Sequence, residues 1–167
     1  YHKIYSDKDG IFLETAVISF LFLKLFIRKF TNKKFFYKEA ILNSRGNIVN
    51  KRYKDRIIKV YDHSYNASPY SLKKQIIHFD SLKVTKKLCI IGSIKELGNQ
   101  TDKYHRALLE DFKDLKVKRI ILIGEDFFKL RSSYKTYNFY KSYKNYINVM
   151  KKDLEYGKNI FVMGSRL

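Results

Sequence analysis

Cysteine is almost missing from this sequence. The one that is present, Cys89, excludes an internal disulfide. Its setting, Leu88-Cys89-Ile90-Ile91, marks a buried apolar thiol rather than a nucleophile or a metal ligand. Such sparing use of cysteine fits a reducing, cytoplasmic setting. His2 and His78 stand at no metal-ligand spacing, so no zinc site can be drawn. Proline occurs once and glycine seven times, beside 14 tyrosines and 13 phenylalanines. An uncharged apolar run long enough to span a bilayer is also missing. Residues 11–30 come nearest, but Glu14 and Lys24 interrupt them and Arg28 and Lys29 close them. A buried core helix is the expectation there, with a signal anchor as the alternative.

Acidic residues are scarce. Sixteen stand against 35 basic ones, a formal charge of +19. Charge alone suggests a nucleic acid or another anionic surface. The lysines are spread along the whole chain, however, which fits a general drift toward Lys, Ile, Asn, Tyr and Phe of the kind AT-rich coding produces. The tyrosine-rich residues 134–146 could stack on single-stranded bases; surface packing explains them as well. A basic, non-catalytic α/β module that binds nucleic acid is therefore the rival from another functional class. The chain begins with Tyr1 and not methionine, so either a fragment of a longer protein or a trimmed chain is expected.

From residue 46 onward the pattern alternates between strand and helix. Strands are expected at 46–53 and 56–61, then a helix over about 69–82 with Leu72, Ile76, Ile77 and Phe79 on its apolar stripe. Residues 87–92 form a near-continuous apolar run, as a strand covered on both faces does. A helix over 101–115, a strand at 119–124 and a helix starting at 125 follow. A short strand near 137–140, a helix over about 143–156 capped by Gly157, and a strand at 159–163 complete the series. This order implies an α/β fold with a mostly parallel sheet and helices on both faces. Residues 31–43 carry a short helical pattern with Phe35, Phe36, Ala40, Ile41 and Leu42 on its apolar side.

The densest stretch for function is Arg56 to Gln75. Ile57, Ile58 and Val60 suit a buried strand. Asp62 to Ser68 are turn and cap residues. Pro69, the only proline, fits the first turn of a helix with Ser68 as its N-cap. A polar loop between a strand end and a helix start is where open α/β sheets bind ligands.

Asp62-His63-Ser64-Tyr65-Asn66-Ala67-Ser68-Pro69-Tyr70-Ser71 resembles the D-D-S-Y-N-A-N-P-x-S motif of the Mur ligase C-terminal domain. Three more landmarks follow in that family's order. Ser44-Arg45-Gly46 is similar to its G-R-G/L, and Gly92-Ser93-Ile94-Lys95-Glu96-Leu97-Gly98 with His105 downstream to its G-D-M-L-E-L-G…H. Gly164-Ser165-Arg166 is similar to its terminal K-G-S-R, with Met163 where the lysine stands. The match points to the branch that adds D-alanyl-D-alanine to UDP-N-acetylmuramoyl-tripeptide.

The resemblance implies a Rossmann-like domain over 44–167, lacking its last helix, after a helical tail of the central ATPase domain over 1–43. It implies an ATP-dependent amide-bond ligase of peptidoglycan synthesis, monomeric and cytoplasmic, with no nucleic acid or membrane as partner. In that family ATP phosphorylates the tripeptide carboxylate and the amine of D-alanyl-D-alanine attacks the acyl phosphate. The G-x-x-x-x-G-K-[ST] loop that cradles phosphates does not occur in this sequence. The resemblance places that loop, and the Mg2+ ligands, upstream. The chain alone is accordingly expected to be inactive.

Carried over residue by residue, Arg45, Asp62 and His63 would meet the nucleotide. A guanidinium fork suits ribose and phosphate oxygens, and His63 stands where the family has the aspartate that binds ribose. Asn66, Ser68, Ser165 and Arg166 would shape the substrate pocket and meet the dipeptide carboxylate. Glu96 and His105 suggest an acid–base pair on paper; a loop-anchoring glutamate and a helix-surface histidine are the blander reading. A decaying remnant of such a ligase is a third reading of the same residues.

Overall fold

The computed structural model describes residues 3–6, 21, 34–37 and 46–165. The chain forms two compact units, Tyr1–Ile41 and Leu42–Leu167. In the first, β1 (Lys3–Ser6) and β2 (Lys34–Tyr37) pair in parallel. At Lys34–Tyr37 a strand stands where a helical pattern is expected, the rest of 31–43 lying outside the described residues: K-F-F-Y is aromatic, and aromatic residues favour strands over helices. The helix expected over 11–30 lies outside the described residues, Leu21 apart. Among the described residues no helix is long and apolar enough to cross a membrane.

The second unit is built on a six-stranded sheet. Its strands are β3 (Asn47–Tyr53), β4 (Arg56–His63), β5 (Lys87–Gly92), β6 (Ile120–Ile123), β7 (Asn138–Tyr140) and β8 (Asn159–Met163). Their spatial order is β3-β4-β8-β5-β6-β7. Only β3 runs antiparallel, joined to β4 by a tight turn in which Lys54 takes a positive φ of 52°. β8, the last of the described strands in sequence, slots between β4 and β5.

Alternation along the strands divides the apolar residues between two faces. Cys89, Ile91, Ile120, Leu122, Phe161 and Met163 belong to one core. Leu88, Ile121 and Ile160, with Ile90, Ile123 and Val162 against them, belong to the other. The first face is covered by α1 (Pro69–Ser81), α2 (Thr101–Asp111) and α3 (Glu125–Phe128). The second is covered by α4 (Tyr143–Ile147) and α5 (Met150–Tyr156). This is the doubly covered, mostly parallel α/β sheet that the alternation of patterns implies. Phe79 and Phe161, both fully buried, pack with ring centroids 5.5 Å apart; burying each such ring contributes roughly 1.5–3 kcal/mol.

Several boundaries differ from the sequence reading, three of them by two residues or more. β4 runs two residues further than expected, through Asp62 and His63, because Asn47 pairs with Asp62 and Met163 with His63. The helix expected over 143–156 is two helices, α4 and α5, broken at Asn148 and Val149, both weak helix formers. The helix expected over 101–115 ends at Asp111 and tightens into a 3₁₀ turn, Phe112–Asp114.

Candidate functional site

The connections out of the sheet diverge between β6 and β7. The chain leaving β6 passes to α3 on the first face, and the chain leaving β7 passes to α4 on the second. Neighbouring parallel strands whose connections part in this way leave a crevice at their carboxyl ends, the usual ligand position in open α/β sheets. A cavity of about 540 Å³ lies there. Its floor is Ile90, Ile123 and Val162, which come from the second face. Gly92, Gly124 and Gly164 lie at the strand ends, and Lys95, Glu125, Lys141 and Tyr143 are also in its wall.

The strand-end glycines let backbone approach backbone. A Cβ on Gly164 would fall 2.8 Å from the Gly92 Cα, and one on Gly124 would fall 2.3 Å from Ser93 Oγ. Gly124 also has a φ of +122°, a conformation that side chains disfavour. Gly92 of one sequence motif and Gly164 of another are thus brought side by side.

Ser165 fastens this arrangement. Its hydroxyl accepts from the Lys95 amide at 2.9 Å and donates to the Ala67 carbonyl at 3.3 Å. Its own amide donates to the Ser93 carbonyl. It joins three loops, those after β4, β5 and β8. A smaller pocket of about 200 Å³, lined by Tyr65, Asn66, Lys95, Glu96 and Ser165, adjoins it.

Asp62 and His63 separate. As neighbours in a strand they face opposite sides of the sheet. Asp62 shares its side with Val60, and its Oδ1 accepts from the amide and hydroxyl of Ser64 at 3.0 and 2.6 Å. The His63 ring lies on the other side, 5.3 Å from the Phe161 ring and against Gly46, where a Cβ would fall 3.2 Å from the imidazole.

Asn66 is exposed, and its Oδ1 accepts from the Ala67 amide at 2.9 Å. Ser68 caps α1: its hydroxyl accepts from Ser71 N at 3.2 Å, and Ser71 Oγ accepts from Ser68 N at 2.9 Å. Arg45 and Arg166 lie outside the described residues.

Glu96 and His105 do not form an acid–base pair through either ring nitrogen. His105 is fully buried. Its Nε2 accepts from the Ile94 amide at 3.1 Å, and its Nδ1 lies 2.7 Å from the Thr101 carbonyl, which requires that nitrogen to carry the proton. Both nitrogens are used: Nε2 holds the loop after β5 onto α2, and Nδ1 bonds within the first turn of α2 itself. Burial pushes the imidazole below its ordinary pKa, against a smaller opposing effect of the Thr101 carbonyl. Glu96 is exposed, at a positive φ of 64°.

Sequence reasoning missed Glu125, Lys141 and Tyr143. They look like ordinary surface residues in chain order. Their positions directly after β6 and β7 were the available signal, since residues that follow adjacent parallel strands meet at the same sheet edge. Among the described residues no group of three or more His, Cys, Asp or Glu could hold a metal ion.

Comparison with known proteins agrees with this geometry. The model of the family "Mur ligase, glutamate ligase domain" matches residues 44–166. A UDP-N-acetylmuramoyl-tripeptide–D-alanyl-D-alanine ligase of Rickettsia prowazekii is 28% identical over 130 residues, covering 76% of this chain and 28% of the relative. The corresponding ligase of Borreliella burgdorferi is 31% identical over 114 residues, covering 64% of this chain and 24% of the relative. The chain therefore spans about a quarter of the length of these relatives. A crystal structure of MurF from Acinetobacter baumannii shares the fold at a TM-score of 0.61 and 19% identity, over 75% of this chain and 28% of that one. MurF from Thermotoga maritima in complex with ADP does so at 0.57 and 17%, over the same shares. With the family pattern running from before β3 to the end of β8, the chain belongs to the Mur ligase family, through the domain the family model describes as its glutamate ligase domain.

Proposed function

We propose that this chain is the C-terminal part of an ATP-dependent ligase that joins D-alanyl-D-alanine to UDP-N-acetylmuramoyl-tripeptide in peptidoglycan precursor synthesis. The observation that carries the reading is the family match over 44–166, whose motif glycines close around a cavity at the carboxyl edge of the sheet. Both curated relatives quoted above are named for that reaction.

The chain's share of the work is to close over a reaction centre held by preceding domains. ATP supplies the activation of the tripeptide carboxylate. A triphosphate needs a cradle of amides and a cation, and the sequence has no G-x-x-x-x-G-K-[ST] loop to provide one. The described residues also offer no cluster for Mg2+. Phosphate and metal binding then fall to the central domain, whose tail residues 1–43 represent. Arg45 would reach the nucleotide from this side of the cleft, as would Asp62 or His63. Asn66, Ser165 and Arg166 border the dipeptide side, Ser165 also holding the loops together. Ser68 caps the helix that follows the loop.

The reading is tested by complementation. A gene encoding the first two domains of the Rickettsia relative, continued by residues 44–167, should restore growth to a strain depleted of its own D-alanyl-D-alanine-adding ligase. Failure of the well-expressed, folded chimera to restore growth would contradict it. The isolated chain, lacking the phosphate loop, is expected to show no turnover.

A further inference from the structure

The cavity at the β6–β7 divergence sets an acid and a base over an apolar floor, the chemistry of a small zwitterion site. Phosphates in α/β crevices are held by backbone amides of the strand-end loops. Here five of those amides are already committed. Ser64 N donates to Asp62 Oδ1, Ser93 N to the Ile123 carbonyl, and Lys95 N to Ser165 Oγ. Gly124 N donates to the Tyr140 carbonyl, and Ser165 N to the Ser93 carbonyl. The other donors in the wall that suit an anion are side-chain cations.

Two lysines are in reach. Lys95 is already bonded to Asp126 at 3.0 Å. Lys141 meets Glu125 Oε1 only at 3.5 Å, and both side chains are 62% exposed. Exposed ion pairs of this kind are worth little, so a ligand carrying both charges can replace the pairing at small cost. Beneath them the floor is Ile90, Ile123 and Val162, a surface for small apolar groups and not for a sugar. The volume, about 540 Å³, suits a small ligand.

We infer that Lys141 and Glu125 are specificity-determining residues that hold the carboxylate and the ammonium of a short apolar dipeptide in this cavity, with its methyl groups on Ile90, Ile123 and Val162, and that the nucleotide does not enter it. The inference rests on the proposed function for the choice of D-alanyl-D-alanine as probe. An occupied site leaves the ammonium beside the carboxylate of Glu125, which accepts its proton when the amine must become a nucleophile. The dipeptide cation loses one proton and Glu125 gains one.

The test uses the full 167-residue chain. Isoleucine and valine methyl resonances are followed while D-alanyl-D-alanine, its C-terminal amide, its N-acetyl derivative or ATP is added. D-alanyl-D-alanine should shift the methyls of Ile90, Ile123 and Val162. The amide and the N-acetyl derivative should bind about tenfold more weakly or not at all, each having lost one charge-assisted contact. Lys141→Met should weaken the dipeptide and the N-acetyl derivative alike while leaving the amide unchanged. Glu125→Gln should weaken the dipeptide and the amide and leave the N-acetyl derivative unchanged. Both positions are exposed, so both variants should keep the wild-type spectrum elsewhere. No dipeptide shift at those methyls, equal binding of all three peptides, or an ATP shift centred on them would overturn the inference. None of these outcomes touches the complementation result, which judges the ligase reading separately.

Discussion

Gly164 and Gly92 face each other so closely at the ends of β8 and β5 that a Cβ on Gly164 would lie 2.8 Å from the Gly92 Cα. The reverse is not true. A Cβ on Gly92 would lie 3.4 Å from the Gly164 Cα, an ordinary contact. The pair is asymmetric because each Cβ leaves its backbone in its own direction. Gly164→Ala should therefore cost about 1–3 kcal/mol, since backbone and not a flexible side chain must give way. Gly92→Ala should cost less. Urea denaturation of the two variants checks the order; equal losses, or the reverse order, would show that the strand ends are not packed as described.

His105 makes stability depend on pH. Its folded pKa is lowered by burial, while the unfolded chain titrates near the ordinary value of about 6.5. Between those two values the unfolded state binds the proton and the folded state does not. Stability from this group is therefore complete above about pH 6.5. It is lost as pH falls toward the lowered folded value, with a limiting slope of about 1.4 kcal/mol per pH unit. In His105→Gln, whose amide can still meet the Ile94 N–H, the slope between pH 6.5 and 5 should flatten. Thermal melts across that range decide it; an unchanged slope would place the acid sensitivity elsewhere.

Much of this architecture was legible in the chain. Leu88 to Ile91 read as a strand covered on both sides because every residue is apolar, and the sheet gives each side its own core. Pro69 announced the start of α1 because its ring suits the first helical turn. Local signals failed where pairing decided the outcome. Asp62 and His63 look like turn residues, yet partners on both sides keep them in β4. His105 looks like a surface histidine, and only the fold of the loop carrying Ile94 shows that both its nitrogens are used. The cavity wall was hidden for the same reason, since Glu125 and Lys141 meet only after β6 and β7 pair.

Separation of Asp62 from His63 across the sheet gives a discriminating pair of variants for nucleotide binding. A ribose offers two vicinal hydroxyls, and a carboxylate can accept from both where a neutral imidazole has one acceptor. In the chimeric ligase, His63→Asp should lower the ATP KM about tenfold, corresponding to a recovered charge-assisted bond of roughly 1.5 kcal/mol. It should also lower the melting temperature, because a carboxylate would replace a ring beside Phe161. Unchanged ATP kinetics in His63→Asp, together with lost activity in Asp62→Ala, would assign the ribose to the opposite side of the strand.

The central claim is that residues 44–167 serve as the acceptor-side domain of a D-alanyl-D-alanine-adding ligase. Its most direct measurement is ADP release by the purified chimera carrying these residues, with UDP-N-acetylmuramoyl-tripeptide and ATP, in the presence and absence of D-alanyl-D-alanine. ADP should appear in step with the joined pentapeptide product and only when the dipeptide is present. A folded chimera that forms no product, or that hydrolyses ATP at the same rate without the dipeptide, would contradict the claim.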